Sequence, residues 1–158
     1  MSKMFDGDVA LITGGSSGIG RATALAFAAE GAKVVVASRR SEESLETVRL
    51  VTNAGREAFF VQADVSVSAD VQRMVAQTIE RYGKLNYAFN NAGIGGGMTP
   101  TADYSEATFD QVVAINLKGV FLSMKYELPH ILATKGAADF TISDVRLGTD
   151  AQTVLPCA

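Results

Sequence analysis

The chain has 158 residues, of which 47% are hydrophobic and 20% are charged, a balance that excludes a disordered segment. Its formal net charge of −3 shows no excess of Lys and Arg, so we expect no nucleic acid partner. The single Cys157 argues against an internal disulfide and a cysteine-based metal site. The lack of a long apolar run or a signal peptide predicts a cytoplasmic protein with no membrane partner, and we expect no metal.

Four short apolar runs, each followed by a helical pattern, organise the first two-thirds of the chain. The runs predict strands at residues 9–12, 34–37, 59–61 and 85–89. Continuous apolar strands that alternate with helices form parallel sheets covered on both faces. The predicted fold class is therefore α/β, with a doubly wound, Rossmann-like parallel sheet.

The length of the chain limits how much of such a fold it can contain. Each strand–helix unit takes about 30 residues, and a full dinucleotide-binding fold uses six strands. We therefore expect the sheet to be C-terminally incomplete. Residues 1–135 are predicted to form the dinucleotide-binding domain. Residues 136–158 are predicted to be a divergent tail, with a fifth strand around 138–143 followed by irregular chain.

Two of the predicted helices carry specific expectations. In the second helix, Ser41 is expected to be the N-cap, with Leu45, Val48 and Thr52 facing the core. The fourth helix is expected to be long, from a Ser105 cap to about Pro129. Its apolar residues at helical spacing predict an inward stripe made of Phe109, Val112, Val113, Leu117, Val120, Phe121 and Met124.

A glycine-rich loop, Thr13–Gly20, lies between the first strand and the first helix. A loop at this place directs backbone N–H groups and a helix N-terminus toward an anion. Gly14 suits the tight turn, Gly18 lets a diphosphate approach the backbone, and Gly20 lets the helix pack on the strand. The expected contacts are Gly14, Ser16, Ser17, Gly18, Ile19 and Gly20. The alternative is a flexible Gly/Ser turn.

The end of the second strand favours one cofactor. About 20 residues past such a loop, an acidic side chain binds the ribose 2′-hydroxyl of NAD. This chain has Ser38 there, followed by Arg39 and Arg40. A small hydroxyl beside a guanidinium fork suits a 2′-phosphate, so Ser38 and Arg39 favour NADP, with NAD less favoured. The alternative is that both arginines are solvated surface charges.

Four motifs in this order resemble the short-chain dehydrogenase/reductase family over roughly residues 5–135. They are the Thr13–Gly20 loop, Asp64-Val65 after the third strand, Asn90–Gly93 after the fourth strand, and Asn116. The resemblance implies a doubly wound sheet, NAD or NADP as cofactor, and hydride transfer between the nicotinamide and a small-molecule carbonyl or alcohol.

The resemblance also implies roles for single residues. Asp64 would bond the adenine amino group, with the Val65 backbone against the ring, although Asp64 also fits a simple helix-start residue. Asn91, Ala92 and Gly93 would line the cofactor.

Asn116 falls on the apolar stripe of the fourth helix. In the family, the matching Asn bends its helix and holds a water of the proton relay, so Asn116 is a candidate catalytic residue. The alternative is a core Asn whose hydrogen bonds are satisfied locally.

The chain departs from the family at the catalytic acid, a Tyr with a Lys four residues later. None of the four tyrosines has this Lys, because the residues at that spacing are Asn86, Asn91, Thr108 and His130. Ser143 lines up with the family's catalytic Ser, although Asp139 interrupts the strand that would carry it. We therefore expect weak turnover or none, and the alternative function is a non-catalytic NADP-binding remnant or an interaction module. The helix at residues 105–129 matches the one that pairs family subunits, which predicts a homo-oligomer.

Overall fold

A computed structural model of the chain describes residues 3–134. Within them four strands form one sheet, in which every neighbouring pair is parallel and the strand order is β3-β2-β1-β4. The strands are β1 (Val9–Thr13), β2 (Lys33–Ser38), β3 (Ala58–Gln62) and β4 (Tyr87–Asn90). The predicted α/β class and the parallel sheet are confirmed.

Helices cover both faces of the sheet. They are α1 (Gly18–Ala29), α2 (Ser41–Asn53), α3 (Ser68–Tyr82), α4 (Glu106–Val112) and α5 (Gly119–Ala133). A short 3₁₀ turn at Thr101–Asp103 precedes α4, and a π-helical segment at Val113–Lys118 joins α4 to α5. None of the helices within residues 3–134 is long and apolar enough to cross a bilayer.

Alternate residues of β1 point to two separate apolar layers. Ala10 and Ile12 face α1, where Ala24 and Ala28 supply small side chains. The opposite layer, under α3 and α5, is built from larger residues such as Met74, Leu85, Leu122 and Ile131. All five residues of β1 are buried because helices cover both of their faces.

The prediction for α2 is wrong about its cap and about Leu45 and Thr52, which are exposed, whereas Val48 packs against the core as predicted. The helix begins at Ser41, and Arg40 is the N-cap residue without a side-chain cap bond. Leu45 is exposed, whereas Thr47 is fully buried. Thr47 can be buried because its hydroxyl donates a hydrogen bond to the Gly15 carbonyl oxygen at 2.9 Å.

The predicted single helix from Ser105 to Pro129 is also different. Ser105 does cap α4, since its Oγ accepts from the Thr108 N–H at 3.5 Å. However, α5 continues through Pro129 to Ala133, and Ile131 in its last turn is fully buried in the core. Burial of this last turn gives a reason for the helix to extend beyond the proline.

The inward stripe is only partly inward. Phe109, Leu117 and Phe121 are exposed, while Val120 is buried. The π-helical segment between α4 and α5 puts more residues in a turn than an α-helix does, so the buried face moves around the axis. A spacing rule based on α-helices therefore misplaces Leu117, within the segment, and Phe121, beyond it. Phe109 lies before the segment, in α4, so the change of helical phase does not account for its exposure.

The predicted fifth strand at 138–143 and the candidate Ser143 lie outside the described residues. Within residues 3–134, no group of three or more His, Cys, Asp or Glu side chains is arranged to hold a metal ion.

Candidate dinucleotide-binding site

The glycine-rich loop turns at the carboxyl end of β1 and leads into α1 with no room for a Cβ at Gly14 or Gly20. Gly14 has a φ of 68°, which favours glycine. A Cβ on Gly20 would lie 2.3 Å from the Gly14 carbonyl oxygen and 2.7 Å from Asn91 Nδ2. Gly18 also has a positive φ, at 53°, and open space where a Cβ would be. The loop therefore brings bare backbone to the N-terminus of α1, as an anion site requires.

Thr13 and Asn91 join the loop to the end of β4. The Asn91 and Ala92 backbone N–H groups donate to Thr13 Oγ1 at 3.0 and 3.1 Å. The Asn91 side chain donates from Nδ2 to the carbonyl oxygens of Thr13 and Gly14 at 3.3 and 3.4 Å. Asn91 thus holds the two carboxyl ends in register. Sequence reasoning missed Thr13, although a hydroxyl at the end of an otherwise apolar strand was an available signal.

Ser38, at the end of β2, fixes the backbone of Arg40. Its Oγ accepts from the Arg40 N–H at 3.0 Å and lies 2.7 Å from Ser44 Oγ. The Arg40 guanidinium then reaches over the glycine-rich loop, where Nη2 donates to Ser16 Oγ at 2.8 Å and to Ser17 Oγ at 2.6 Å. The neighbouring Nη1 lies 3.6 Å from a carboxylate oxygen of Glu43. A guanidinium and two hydroxyls therefore converge at one end of the site.

Arg39 takes a different direction, toward Asp64 at the end of β3. Its Nη1 lies 3.8 Å from Asp64 Oδ2. Asp64 Oδ1 accepts from both the N–H and the hydroxyl of Ser66, at 2.9 and 2.6 Å. The Asp64 N–H donates to Asp70 Oδ2, and this bond, followed by the one from Arg73, lowers the pKa of Asp70. Asp64 is thus held in a turn beside Arg39 at the rim of the site.

Asn116 lies in the π-helical segment and binds the chain that follows β4. Its Oδ1 accepts from the Ile94 N–H and its Nδ2 donates to the Ile94 carbonyl oxygen, both at 2.9 Å. Gly93 lies directly beside it, since a Cβ there would be 3.3 Å from Asn116 Oδ1. The side chain is partly buried, and its amide bonds are satisfied by Ile94.

These groups surround one cavity at the carboxyl edge of the sheet. The residues that line it are Gly14, Ser16, Ser38, Arg39, Arg40, Ala63, Asp64, Val65, Ala92, Gly93, Ile94 and Ile115. Most of the sequence-predicted site residues are therefore brought together. The predicted Ser17, Gly18, Ile19, Gly20, Asn91 and Asn116 are not among the lining residues. Ile19 is exposed.

The arrangement fits an adenine dinucleotide. Bare loop backbone suits the diphosphate, the hydroxyls and guanidinium groups suit the ribose end, and Val65 and Ile115 offer an apolar wall. A parallel sheet with such a loop after its first strand and a crevice at its carboxyl edge defines the class of dinucleotide-binding α/β proteins.

Comparison with known proteins gives the family. The sequence matches the short chain dehydrogenase family over residues 8–146, and the chain belongs to this family. Members of this family use nicotinamide cofactors for hydride transfer.

Several characterised proteins are similar to this chain. Levodione reductase of Leifsonia aquatica is 47% identical over 123 residues, which are 77% of this chain and 46% of that protein. Cyclohexanol dehydrogenase of Acinetobacter sp. (strain SE19) is 40% identical over 138 residues, covering 87% of this chain and 55% of that protein. The chain spans about half the length of the curated relatives it matches.

Solved structures agree with this assignment. A short-chain dehydrogenase/reductase from Burkholderia phymatum, in complex with NAD, is 36% identical with a TM-score of 0.82, over 89% of this chain and 49% of that one. The crystal structure of levodione reductase gives a TM-score of 0.79 at 43% identity, over 86% of this chain and 54% of that one.

Proposed function

We propose that this chain binds NADP in preference to NAD and belongs to an oxidoreductase that acts on a small carbonyl or alcohol. The observation that carries the proposal is the end of β2, where Ser38 stands in place of an acidic residue and two arginines follow. A carboxylate at this place would repel a 2′-phosphate, whereas guanidinium groups form strong bonds with phosphate.

The placement of Arg40 supports this preference. Its guanidinium already lies over Ser16 and Ser17 of the glycine-rich loop. The serine hydroxyls accept from the guanidinium and keep their own protons to donate. A phosphate that enters there would find three converging donors, one of them charged. A ribose hydroxyl gains less from such a set, because it carries no charge to pair with the guanidinium and cannot form a bidentate bond with it.

Turnover is a separate part of the proposal. The 158 residues contain no Tyr with a Lys four positions later, and general acid–base catalysis contributes about 10²–10⁴-fold to such reactions. Asn116 and Ser143 remain the candidate catalytic residues, with Asn116 in contact with the chain after β4. We propose that cofactor binding is retained in this chain and that hydride transfer is weak, which leaves a non-catalytic NADP-binding role as the alternative.

Fluorescence titration with NADPH and NADH tests the cofactor assignment. Wild type is expected to bind NADPH at least about tenfold more tightly than NADH, which corresponds to about 1.4 kcal/mol. Arg39→Ala and Arg40→Ala are each expected to weaken NADPH binding more than NADH binding. Arg49→Ala is the matched control, because this exposed arginine on α2 pairs with Glu46 away from the site. Equal losses for both cofactors in both variants would contradict NADP preference.

A turnover assay separates the two proposed roles. NADPH oxidation is followed with a panel of carbonyl compounds, and cyclohexanone is included because one relative is named a cyclohexanol dehydrogenase. Binding with little or no oxidation agrees with the proposal. Turnover at rates ordinary for enzymes, about 1–10³ per second, would show that the missing Tyr and Lys are not needed.

The proposal also includes a homo-oligomer formed through the helical region at residues 105–129. Three large apolar side chains on this region, Phe109, Leu117 and Phe121, are exposed in the single chain. Large exposed apolar side chains that share one face mark association surfaces. A second copy of the chain can cover the same face symmetrically.

A further inference from the structure

Glu127 on α5 and Asn90 at the end of β4 form a polar pair in the interior. Glu127 has no exposed surface, and Asn90 retains 2%. Asn90 Nδ2 donates to Glu127 Oε2 at 2.8 Å. Neither residue lines the cavity at the carboxyl edge. A carboxylate buried without a cation is costly, so this pair needs an explanation in terms of its protonation.

Two oxygen atoms without hydrogen-bond partners, one on each residue of the pair, indicate that the Glu127 carboxyl is protonated. Within residues 3–134, Glu127 Oε1 and Asn90 Oδ1 are buried and accept or donate no hydrogen bond. An ionised carboxylate can only accept, so both atoms would then remain unpaired acceptors. A protonated carboxyl carries one O–H, and an amide oxygen can accept it. A neutral acid–amide pair therefore supplies the one donor that the two atoms lack.

Charged groups do not provide an alternative. The elements packed against α5 are α3, β4 and the π-helical segment. Their titratable side chains and those of α5 itself are Lys118, Lys125, Tyr126, His130, Tyr87, Asp70, Arg73, Glu80, Arg81 and Tyr82. Arg73 pairs with Asp70, and Arg81 lies over the Phe59 and Tyr82 rings. The Tyr126 hydroxyl lies 3.0 Å from Ser68 Oγ on α3. Lys125 is exposed and lies over the Tyr126 ring. In the described part of the chain, no lysine, arginine or histidine forms an ion pair with Glu127.

We propose that protonated Glu127 is a positioning residue, which ties the carboxyl end of β4 to α5 through two hydrogen bonds with Asn90. Asn90 lies opposite Thr13 in the sheet and directly precedes Asn91. Asn91 in turn contacts Thr13 and Gly14 at the glycine-rich loop. Loss of the proton breaks the second bond of the pair and leaves a buried charge behind the segment 91–93. The effect on cofactor binding rests on the proposed function, whereas the pair itself does not.

The protonation of Glu127 has a defined consequence for stability. Burial raises the pKa of Glu127 from 4.5 to about 7, and the hydrogen bond from Asn90 opposes this only in part. Between these two values the folded chain holds a proton that the unfolded chain has released. The contribution of Glu127 to stability is therefore fully present below pH 4.5 and is lost as the pH rises toward 7.

Two substitutions of Glu127 separate the effect of its hydrogen bonds from the effect of its side-chain volume. Glu127→Gln keeps a neutral group that both donates and accepts, so its pair with Asn90 persists at every pH. Glu127→Met has a similar size but forms no hydrogen bond, which leaves the Asn90 amide unpaired. Urea unfolding of both variants and wild type between pH 5 and pH 8 compares them. All other titratable groups are common to the three proteins, so their contributions cancel in the ratios.

The expected result is a wild type that loses stability relative to Glu127→Gln as the pH rises. The ratio of their unfolding equilibrium constants should change by up to about tenfold per pH unit within the window. Glu127→Met should be less stable than Glu127→Gln at every pH, with the same pH profile. Parallel profiles for wild type and Glu127→Gln would overturn the neutral pair. A ¹³C NMR titration of the Glu127 carboxyl, assigned by its loss in Glu127→Gln, must likewise give a midpoint well above 4.5.

NADPH titration at each pH tests the positioning role. Wild type is expected to lose affinity between pH 6 and pH 8 relative to Glu127→Gln. Equal affinities across this range, with the stability profiles as expected, would overturn the positioning role and leave only a buried neutral pair. Absence of NADPH binding in every variant would overturn the proposed function and the positioning role together, while the unfolding data would still decide the protonation of Glu127.

Discussion

Polar side chains gather at two places on the carboxyl edge of the sheet, and water reaches only one of them. At the end of β2, the Arg40 guanidinium bonds to Ser17 at the surface. Behind β4, Asn90 and Glu127 pair out of contact with water. An exposed hydrogen bond exchanges readily with water, whereas a buried polar atom left unpaired costs about 1–3 kcal/mol. Substitutions at the exposed place should therefore change ligand binding directly. Those at the buried place should change stability, and they should change binding only through the position of the segment 91–93.

The largest expected effect comes from a residue whose substitution should change both stability and ligand binding. Gly20 lies next to the exposed loop but is itself buried in the first turn of α1, where an added Cβ would lie 2.3 Å from the Gly14 carbonyl oxygen. Gly20→Ala is therefore expected to lower the free energy of unfolding by about 3 kcal/mol, at the upper end for overpacking. It should also move the loop and weaken NADPH binding. Urea unfolding and cofactor titration measure the two effects.

Gly95→Ala is the control for this substitution. Gly95 lies in the segment after β4, has nothing within 4 Å of the added Cβ, and has no positive φ. Its unfolding free energy should stay within about 0.5 kcal/mol of wild type, as for most surface substitutions. A Gly20→Ala protein as stable as Gly95→Ala would show that the loop relaxes without cost.

Asn116 provides an intermediate case between the exposed and buried places. Asn116→Leu would leave the N–H and the carbonyl oxygen of Ile94 without their partners. Because the site is only partly buried and water can replace one of these bonds, we expect a loss of about 1–2 kcal/mol in unfolding free energy. Urea unfolding measures this loss.

Asn116→Asp sharpens that prediction, because a carboxylate still accepts from the Ile94 N–H but cannot donate to its carbonyl oxygen. It should fall between wild type and Asn116→Leu. If Asn116→Asp were the less stable of the two, repulsion between the carboxylate and the Ile94 carbonyl would outweigh the retained bond.

The success of prediction from sequence differs between the apolar and the polar parts of the interior. The four strands were predictable, because a buried parallel strand is a continuous apolar run and β1 is buried throughout. The glycine-rich loop and Asn91 were predictable as a motif. What failed was part of the buried face of α2, since Thr47 is buried by its bond to the Gly15 carbonyl and no apolar count reveals such a bond.

Two further features depend on contacts that a single sequence does not display. The π-helical segment at Val113–Lys118 changes the helical phase, so Leu117 and Phe121 turn outward although their spacing predicts the core. The sequence alone indicates an ordinary surface charge at Glu127, whereas the structure shows this side chain buried and paired with Asn90. Apolar runs and one sequence motif therefore predict the strands and the loop, whereas the change of helical phase and the polar pairs between distant elements require the structure.

The smallest expected effect on stability comes from substitution of an exposed apolar residue that lies at neither of the two polar places. Phe121 is 61% exposed on α5, and Phe121→Glu should change the unfolding free energy of the single chain by no more than about 0.5 kcal/mol. If this face pairs two copies, however, each contact would then bury an unpaired carboxylate and the oligomer should dissociate. Sedimentation velocity of wild type and Phe121→Glu measures this, with Leu45→Glu on α2 as the control, since Leu45 is similarly exposed at 54%. Dissociation by Leu45→Glu instead would place the contact on α2, and a wild type that sediments as a monomer at every concentration would contradict the homo-oligomer.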